Sequence, residues 1–185
     1  VDLVLDGEQI ELDKTVIEEI ADPLLHILRN AVDHGIEPLV QRQALGKPER
    51  ALINLRACHE GNQVVIQISD DGAGLDLDML RAKAVSNGYV SETEVLQLSD
   101  HELYALVFSP GFSTADEVSE VSGRGVGLDV VKTSVHRLKG TITLASIPSQ
   151  GVTFTIRLPM TLAITQALLV KAHYETFAIP LNAIN

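Results

Sequence analysis

Five polar side chains, His26, Arg29, Asn30, Asp33 and His34, fall on one arc of about 140° when residues 24–34 are wound at ~100° per residue. Leu24, Leu25, Ile27, Leu28, Ala31 and Val32 fall opposite. A solvated helix face would divide in the same way. Such a face, however, is better built from Glu and Lys than from Asn and two His, which are mediocre helix formers. The amide oxygen of Asn30 is a hard ligand suited to Mg²⁺ beside substrate phosphates, and it adds no negative charge to them.

Two further segments could hold a ligand. In Ser69-Asp70-Asp71-Gly72-Ala73-Gly74 a carboxylate ends a strand, and two glycines allow backbone to approach a flat group closely. Asp70 could accept a hydrogen bond from an adenine amino group, although an acidic turn would use the same residues. Gly123-Arg124-Gly125-Val126-Gly127 opens a helix, whose free N–H groups and positive dipole end favour an anion; a flexible hinge is the plainer reading. It is not a Walker loop, since no Gly-Lys-Ser/Thr follows. It is a poor dinucleotide fingerprint, since a long loop and not a strand precedes it.

Several elements must position these groups. Alternation from Val1 to Leu12 around Asp6-Gly7 predicts an opening hairpin. Asp22-Pro23 reads as an N-cap with proline at the first helical position, starting a helix that Gly35 stops. Pro38 to Leu45 predicts a short helix, and Ala51 to His59 with Gln63 to Asp70 a hairpin of half-buried strands. Met79 to Val85 reads as helix, and Ser91/Glu94 and Ser99/Glu102 have capping-box spacing. The aperiodic stretch Ser109 to Arg124 is longer than compact domains usually tolerate and is a candidate lid. Gly125 to Lys139 returns to helix, ending on a basic turn and a Gly140 stop. Thr141 to Ile147 and Val152 to Leu158 form another hairpin, so that a sheet with helices on one face is expected. Ala167 to Lys171 and Phe177 to Ile179 read as strands of a further unit.

A chain of 185 residues with 45% apolar content can bury one full core. Its formal net charge of −11 argues against nucleic acid or an anionic membrane as partner. The single Cys58 excludes an internal disulfide framework and, in an alternating apolar run, is expected to be a buried structural thiol. No apolar run reaches the ~18 residues of a membrane span, and a cytoplasmic fragment is expected.

The order of the motifs is more specific than any one of them. An Asn-bearing helix, DxGxG after a strand, Pro110-Gly111-Phe112-Ser113-Thr114, then GxGxG at a helix start resembles the N, G1, F and G2 boxes of histidine-kinase ATP-binding domains. The wording is most similar to the CheA-type chemotaxis kinases. It includes Asp22-Pro23-Leu24, His26-Ile27-Leu28-Arg29-Asn30-Ala31-Val32-Asp33-His34-Gly35-Ile36-Glu37, and Ser122-Gly123-Arg124-Gly125-Val126-Gly127-Leu128-Asp129-Val130-Val131-Lys132.

The resemblance covers residues 1–160 and implies an α+β, two-layer α/β sandwich of the Bergerat (GHKL) type, with a mixed, mostly antiparallel sheet and an ATP lid. Residues 161–185, with Thr161-Leu162-Ala163-Ile164 and Ala178-Ile179-Pro180-Leu181, resemble the start of the CheW-binding regulatory domain. By the same resemblance Asn30 would ligand Mg²⁺, Asp70 would hold the adenine amino group, and Gly72, Gly74 and Leu75 would shape the base pocket. His26 and His34 would lie near the metal and γ-phosphate, with Arg29, Asp33 and Lys83 on the nucleotide. Ser113 and Thr114 would belong to the lid. Gly123, Arg124, Gly125, Val126, Gly127 and Leu128 would wrap the phosphates. Met79 and Ala115 stand where similar proteins carry lysines, so lid closure is expected to be less charge-assisted.

The implied activity is transfer of the γ-phosphate of Mg²⁺-ATP to a histidine on a separate phosphoacceptor domain. The implied partners are that domain and, through a longer parent, a CheW-type coupling protein and chemoreceptors; the fragment itself is expected to be monomeric. The runner-up is a clamp-driving ATPase of the same superfamily, which would place a general-base Glu four residues before the metal Asn, where this chain has His26. A nucleotide-sensing scaffold without transfer activity is a third reading. His136-Arg137-Leu138-Lys139-Gly140 matches the H-x-x-K-G pattern of phosphoacceptor histidines. It ends the helix begun by the glycine-rich loop, nine residues or roughly 13 Å from Gly127 at 1.5 Å per residue, and is not expected to be labelled.

Overall fold

The computed structural model describes residues 1–7, 9–112, 127–160, 167–172 and 175–180. The chain opens with strand β1 (Asp2–Asp6). No second strand of an opening hairpin follows among the described residues. Instead Gly7 turns the chain at φ +94°, and β1 pairs parallel with strand β2 (Leu52–Glu60), Asp2 opposite Leu52. A β-carbon at Gly7 would lie 2.0 Å from the Ala57 carbonyl oxygen, so this glycine serves a close approach to β2.

Helix α1 (Lys14–Asn30) begins nine residues before the expected start at Pro23. The Asp13 carboxylate caps it by accepting from the Thr15 N–H, and Pro23 is an interior residue. Burial explains the extension. Val16, Ile20, Pro23 and Ile27 recur at three- and four-residue spacing and face the core, and this packing outweighs the N–H that proline removes from the helix. Leu25 and Val32, placed on the apolar arc by the helical wheel, are 61% and 47% exposed.

After Asn30 the winding loosens into a π turn, Ala31–Gly35, which ends with the Ile36 N–H donating to the Ala31 carbonyl at 3.0 Å. A π turn takes more residues per revolution than an α-helix, so the 100° wheel loses phase at Asp33 and His34.

Helix α2 (Leu39–Ala44) follows, then the hairpin of β2 with β3 (Gln63–Asp70). Helices α3 (Leu77–Ser86), α4 (Glu92–Val95) and α5 (Asp100–Leu106) come next, and both expected capping boxes, Ser91/Glu94 and Ser99/Glu102, are formed. Helix α6 (Leu128–Arg137) leads to the hairpin of β4 (Thr141–Ile147) and β5 (Gly151–Pro159). The left-handed residue after α6 is Lys139, at φ 58°. Gly140 instead lies where a β-carbon would meet the Arg157 oxygen and a Leu158 methyl at 2.6 Å. The glycine there admits the neighbouring strand; it is not the left-handed stop.

The five-stranded sheet has the order β1-β2-β3-β5-β4, antiparallel except for the β1/β2 pair. Alternate residues of its strands, Ile53, Ile66, Ile68, Phe154, Ile156 and Leu144 among them, pack with Ile27 of α1, Leu80 of α3, Leu103 of α5 and Val131 and Val135 of α6. This is the expected α+β two-layer arrangement. Cys58, expected to be buried, is a half-buried free thiol on β2. Beyond the sheet, β6 (Ala167–Ala172) and β7 (Glu175–Pro180) form a separate antiparallel pair at the positions where the sequence reads as strand.

Candidate functional site

Asp70 ends β3, the central strand, where the sheet gives way to the glycine loop. It is 9% exposed. Its Oδ1 accepts from the Gly72 N–H at 2.9 Å and the Val152 N–H at 3.3 Å, while Oδ2 has no hydrogen-bond donor among the described residues. Burial raises the Asp70 carboxyl above the usual carboxylate range; those two hydrogen bonds oppose the rise, and the neighbouring charges of Asp71 and Glu37 add to it. A buried carboxylate with one oxygen fixed by backbone and the other uncommitted is suited to reading a single donor group.

The loop beyond Asp70 is bound on both sides by backbone. Ala73 donates its N–H to the Gly35 carbonyl at 2.8 Å, and the Ala73 carbonyl accepts from the Ser149 N–H at 2.7 Å. The Leu75 N–H donates to Ser146 Oγ at 2.8 Å. A β-carbon at Gly72 would lie 2.1 Å from the Gly35 oxygen, and one at Gly74 would lie 2.6 Å from the Ile147 oxygen. The two glycines therefore let backbone approach backbone, a tighter requirement than the ligand approach that the sequence suggested. Gly35, at the end of the π turn, also borders Asp70: a β-carbon placed on it would sit 3.7 Å from the carboxylate.

The polar face of α1 leads into the same region. Asn30, half-buried, is its last residue, directly before the π turn that ends on Asp70. Asp33 and His34, within the turn, and Arg29 are exposed. His26 is half-buried, and burial, followed by the positive charge of Arg29, holds its imidazole below the ordinary value, while Asp129 of α6 pulls it upward. Helix α6 packs alongside α1. Its N-cap is Gly127, which has no side chain to close the helix end, and Leu128 is half-buried at its first position.

Lys83 occupies the last turn of α3, whose packing runs chiefly to α4 and α5. Met79 lies exposed on the same helix. Ser113, Thr114, Ala115, Gly123, Arg124, Gly125 and Val126, most of the candidate lid, lie outside the described residues, as do Thr161 to Gln166. His136 is exposed in the last turn of α6.

One cluster beside the site was missed in the sequence. Glu37, Arg42 and Asp71 form a mostly buried ion network with Lys47. Only the GIxP and GKP punctuation around it hinted at anything more than a surface helix. Burial alone would raise the Glu37 carboxyl, yet hydrogen bonds from Lys47 and Arg42 outweigh it and hold the carboxyl below its ordinary range. The balance at Asp71 is similar, with burial opposed chiefly by Arg42 and the Leu52 N–H. Carboxyls depressed in the folded state contribute stability that is complete above their unfolded pKa and lost as pH falls through the folded one. Thermal stability should therefore hold on acidification to about pH 4 and decline below it. In Asp71→Asn, melts across this range should show a shallower acid decline; an unchanged decline would remove Asp71 from the account.

A sequence model of the family described as "Histidine kinase-, DNA gyrase B-, and HSP90-like ATPase" matches residues 19–162. Among curated relatives, "Sensor histidine kinase CheAY" of Helicobacter pylori is 53% identical over 184 residues, which is 100% of this chain and 23% of that protein. "Chemotaxis protein CheA" of Bacillus subtilis is 49% identical over 184 residues, 100% of this chain and 27% of that protein. The chain thus spans about a quarter of the length of these relatives. Among solved structures, the catalytic domain of the histidine kinase ThkA, in a nucleotide-free form, matches with a TM-score of 0.52 at 18% identity, over 86% of this chain and 78% of that one. The blue-light activated histidine kinase of Erythrobacter litoralis EL346 matches with a TM-score of 0.51 at 14% identity, over 86% and 35%. At such identities these two matches speak to the fold alone.

Proposed function

The chain belongs to the histidine kinase-, DNA gyrase B- and HSP90-like ATPase family, and from that premise we propose that it binds Mg²⁺-ATP and presents the γ-phosphate to a histidine on a separate domain in chemotaxis signalling. The observation that carries this reading is Asp70, a buried carboxylate with Oδ1 held by backbone and Oδ2 available at the end of the central strand. In this reading Asp70 accepts from the 6-amino group of the base. Gly72, Gly74 and Leu75 fix the loop around it. Asn30 supplies one hard oxygen to Mg²⁺, with water and phosphate oxygens supplying the rest. Asn30, a half-buried amide at the end of α1, suits a metal held chiefly by phosphate oxygens and water. The open N-terminus of α6 at Gly127 and Leu128, with Gly123 to Val126 before it, faces phosphate charge. Arg29, Asp33, His34 and Lys83 complete the nucleotide contacts, and Ser113 and Thr114 the lid.

ATP supplies a phosphoryl group that passes to the acceptor imidazole. The chain's contribution is positioning and charge stabilisation. The residue at the position where hydrolysing relatives would need a carboxylate base is His26, and the lack of a carboxylate there favours transfer over hydrolysis. The partners in this reading are the phosphoacceptor domain and, through the rest of a longer protein, a CheW-type coupling protein and receptors. Residues 1–160 form the catalytic unit and 161–185 begin a regulatory one. Among the described residues no helix is long and apolar enough to cross a membrane, and a cytoplasmic monomer is proposed.

Incubated with γ-labelled ATP, Mg²⁺ and a separately purified histidine phosphoacceptor domain, the chain should label that domain. Asn30→Ala should abolish the Mg²⁺ dependence and most of the label. The chain alone should acquire no acid-labile label on His136. ATP turnover without transfer would favour the clamp ATPase, and label lost in His136→Gln would overturn the separation of donor and acceptor.

A further inference from the structure

The ion network beside the loop grips particular atoms. Arg42, its side chain 1% exposed, donates Nη1 to Glu37 Oε2 at 3.0 Å, Nη2 to Asp71 Oδ2 at 2.8 Å and Nε to the Pro48 carbonyl at 2.9 Å. Asp71 Oδ1 accepts from the Leu52 N–H at 3.0 Å. Lys47 places all three donors of its ammonium, on Glu37 Oε1 and on the carbonyl oxygens of Asp71 and Gly72, the latter two at 2.8 Å each. Buried ion pairs contribute little net stability against apolar packing of equal volume. Their effect here is directional.

The Asp71–Gly72 peptide is one rigid plane whose C=O and N–H point in opposite directions. Its oxygen accepts from Lys47 at 2.8 Å and, at a longer 3.3 Å, from Arg42 Nη1, and its N–H is the donor to Asp70 Oδ1 at 2.9 Å. The next plane repeats the arrangement: the Gly72 oxygen is held by Lys47, and the Ala73 N–H donates to the Gly35 carbonyl at 2.8 Å. One ammonium thus bonds the oxygens of two successive peptides, one of which orients the Asp70 carboxylate while the other fastens the loop to the turn that follows Asn30. Glycine at 72 has no side chain to hinder rotation of either plane, so orientation must come from outside the loop.

We propose that Lys47 is a positioning residue for base recognition, acting through the Asp71–Gly72 peptide to aim Asp70 Oδ2 at the 6-amino group of a purine nucleotide. It touches no nucleotide, and the proposal rests on the adenine-binding reading given above. Without Lys47 the Asp71 oxygen retains the longer bond from Arg42, the Asp71–Gly72 peptide is held less firmly, and the carboxylate distinguishes a 6-amino from a 6-oxo purine less well. A purely structural lysine would change affinity for both nucleotides alike.

Calorimetry with ADP and inosine diphosphate on the wild-type chain and Lys47→Met tests this, with melts alongside. The wild type should prefer ADP by at least about tenfold, and Lys47→Met should reduce that ratio about fivefold or more. A wild type with no preference removes the adenine reading on which the proposal rests. A wild type with the preference, and a Lys47→Met ratio within about twofold of it, overturns the role of Lys47 alone. Should Lys47→Met not melt cooperatively, Lys47→Gln, one atom shorter and without the charge, is read by the same ratio and the same limits.

Discussion

Asp70→Asn should weaken adenine-nucleotide binding by roughly 10- to 150-fold, equivalent to about 1.5–3 kcal/mol for a lost hydrogen bond to a charged group, while the fold stays cooperative. The amide oxygen can still accept from the Gly72 and Val152 N–H groups that now reach Oδ1. The amide nitrogen then takes the place of Oδ2 and sets a donor against the donor of the base. The pKa of Asp70 sharpens the expectation. Its folded value is raised, so the ionised carboxylate costs stability above that value, and the unliganded Asp70→Asn protein should melt at or above the wild-type temperature at neutral pH. A 6-amino donor favours the ionised form, so wild-type binding should weaken as pH falls through the raised pKa, earlier than for an ordinary aspartate. That limb of the pH profile should be absent in Asp70→Asn. Titration calorimetry that finds wild-type affinity in the variant would take Asp70 out of the site.

The second large effect concerns stability. Gly151 opens β5 at φ +105°, and a β-carbon on it would lie 1.9 Å from the Asp70 carbonyl oxygen and 2.6 Å from its carbon. Gly151→Ala therefore combines a backbone conformation that side chains avoid with a clash against main chain, which no rotamer can relieve. A loss on the order of 3 kcal/mol is expected, or roughly 10 °C in Tm for a chain of this size. Relief would come by moving β5 away from β3, which would carry the Val152 N–H off Asp70. The variant should lose nucleotide affinity along with stability. A Tm within about 2 °C of wild type would show that the strand end relaxes more easily than the β-carbon geometry implies.

The features legible in the sequence were the locally determined ones. The β2–β3 and β4–β5 hairpins, both Ser/Glu capping boxes and the strand-ending Asp70 follow from alternation, turn residues and cap chemistry within a few positions of one another. What failed depended on contacts distant in sequence. Asp6-Gly7 carries the signature of a hairpin turn, but β1 gains more by lying parallel to β2, some fifty residues later. Pro23 reads as a helix start until Val16 and Ile20 are counted with Ile27 as one buried stripe. The π turn at Ala31–Gly35 has no local signal, and it displaces Asp33 and His34 from the arc they share with Asn30 on an ideal wheel. Nothing local marks Arg42 and Lys47 for burial, and only the return of the chain at Asp71 gives both a common partner besides Glu37. Of the candidate site, the base-reading half is built from described residues, whereas Ser113 to Val126 of the phosphate half lie outside them.

The hydrogen bond from Val152 to Asp70 also bears on synthesis. Asp70, the turn that borders it and the loop beyond it are all within the first half of the chain, but the second backbone donor to its carboxylate comes 82 residues after it. Without β5, β3 is an edge strand and Asp70 lacks the Val152 N–H. A ligand stabilises only the state that binds it, so a nucleotide read by Asp70 should stabilise a partly synthesised chain less than one in which β5 has inserted between β3 and β4.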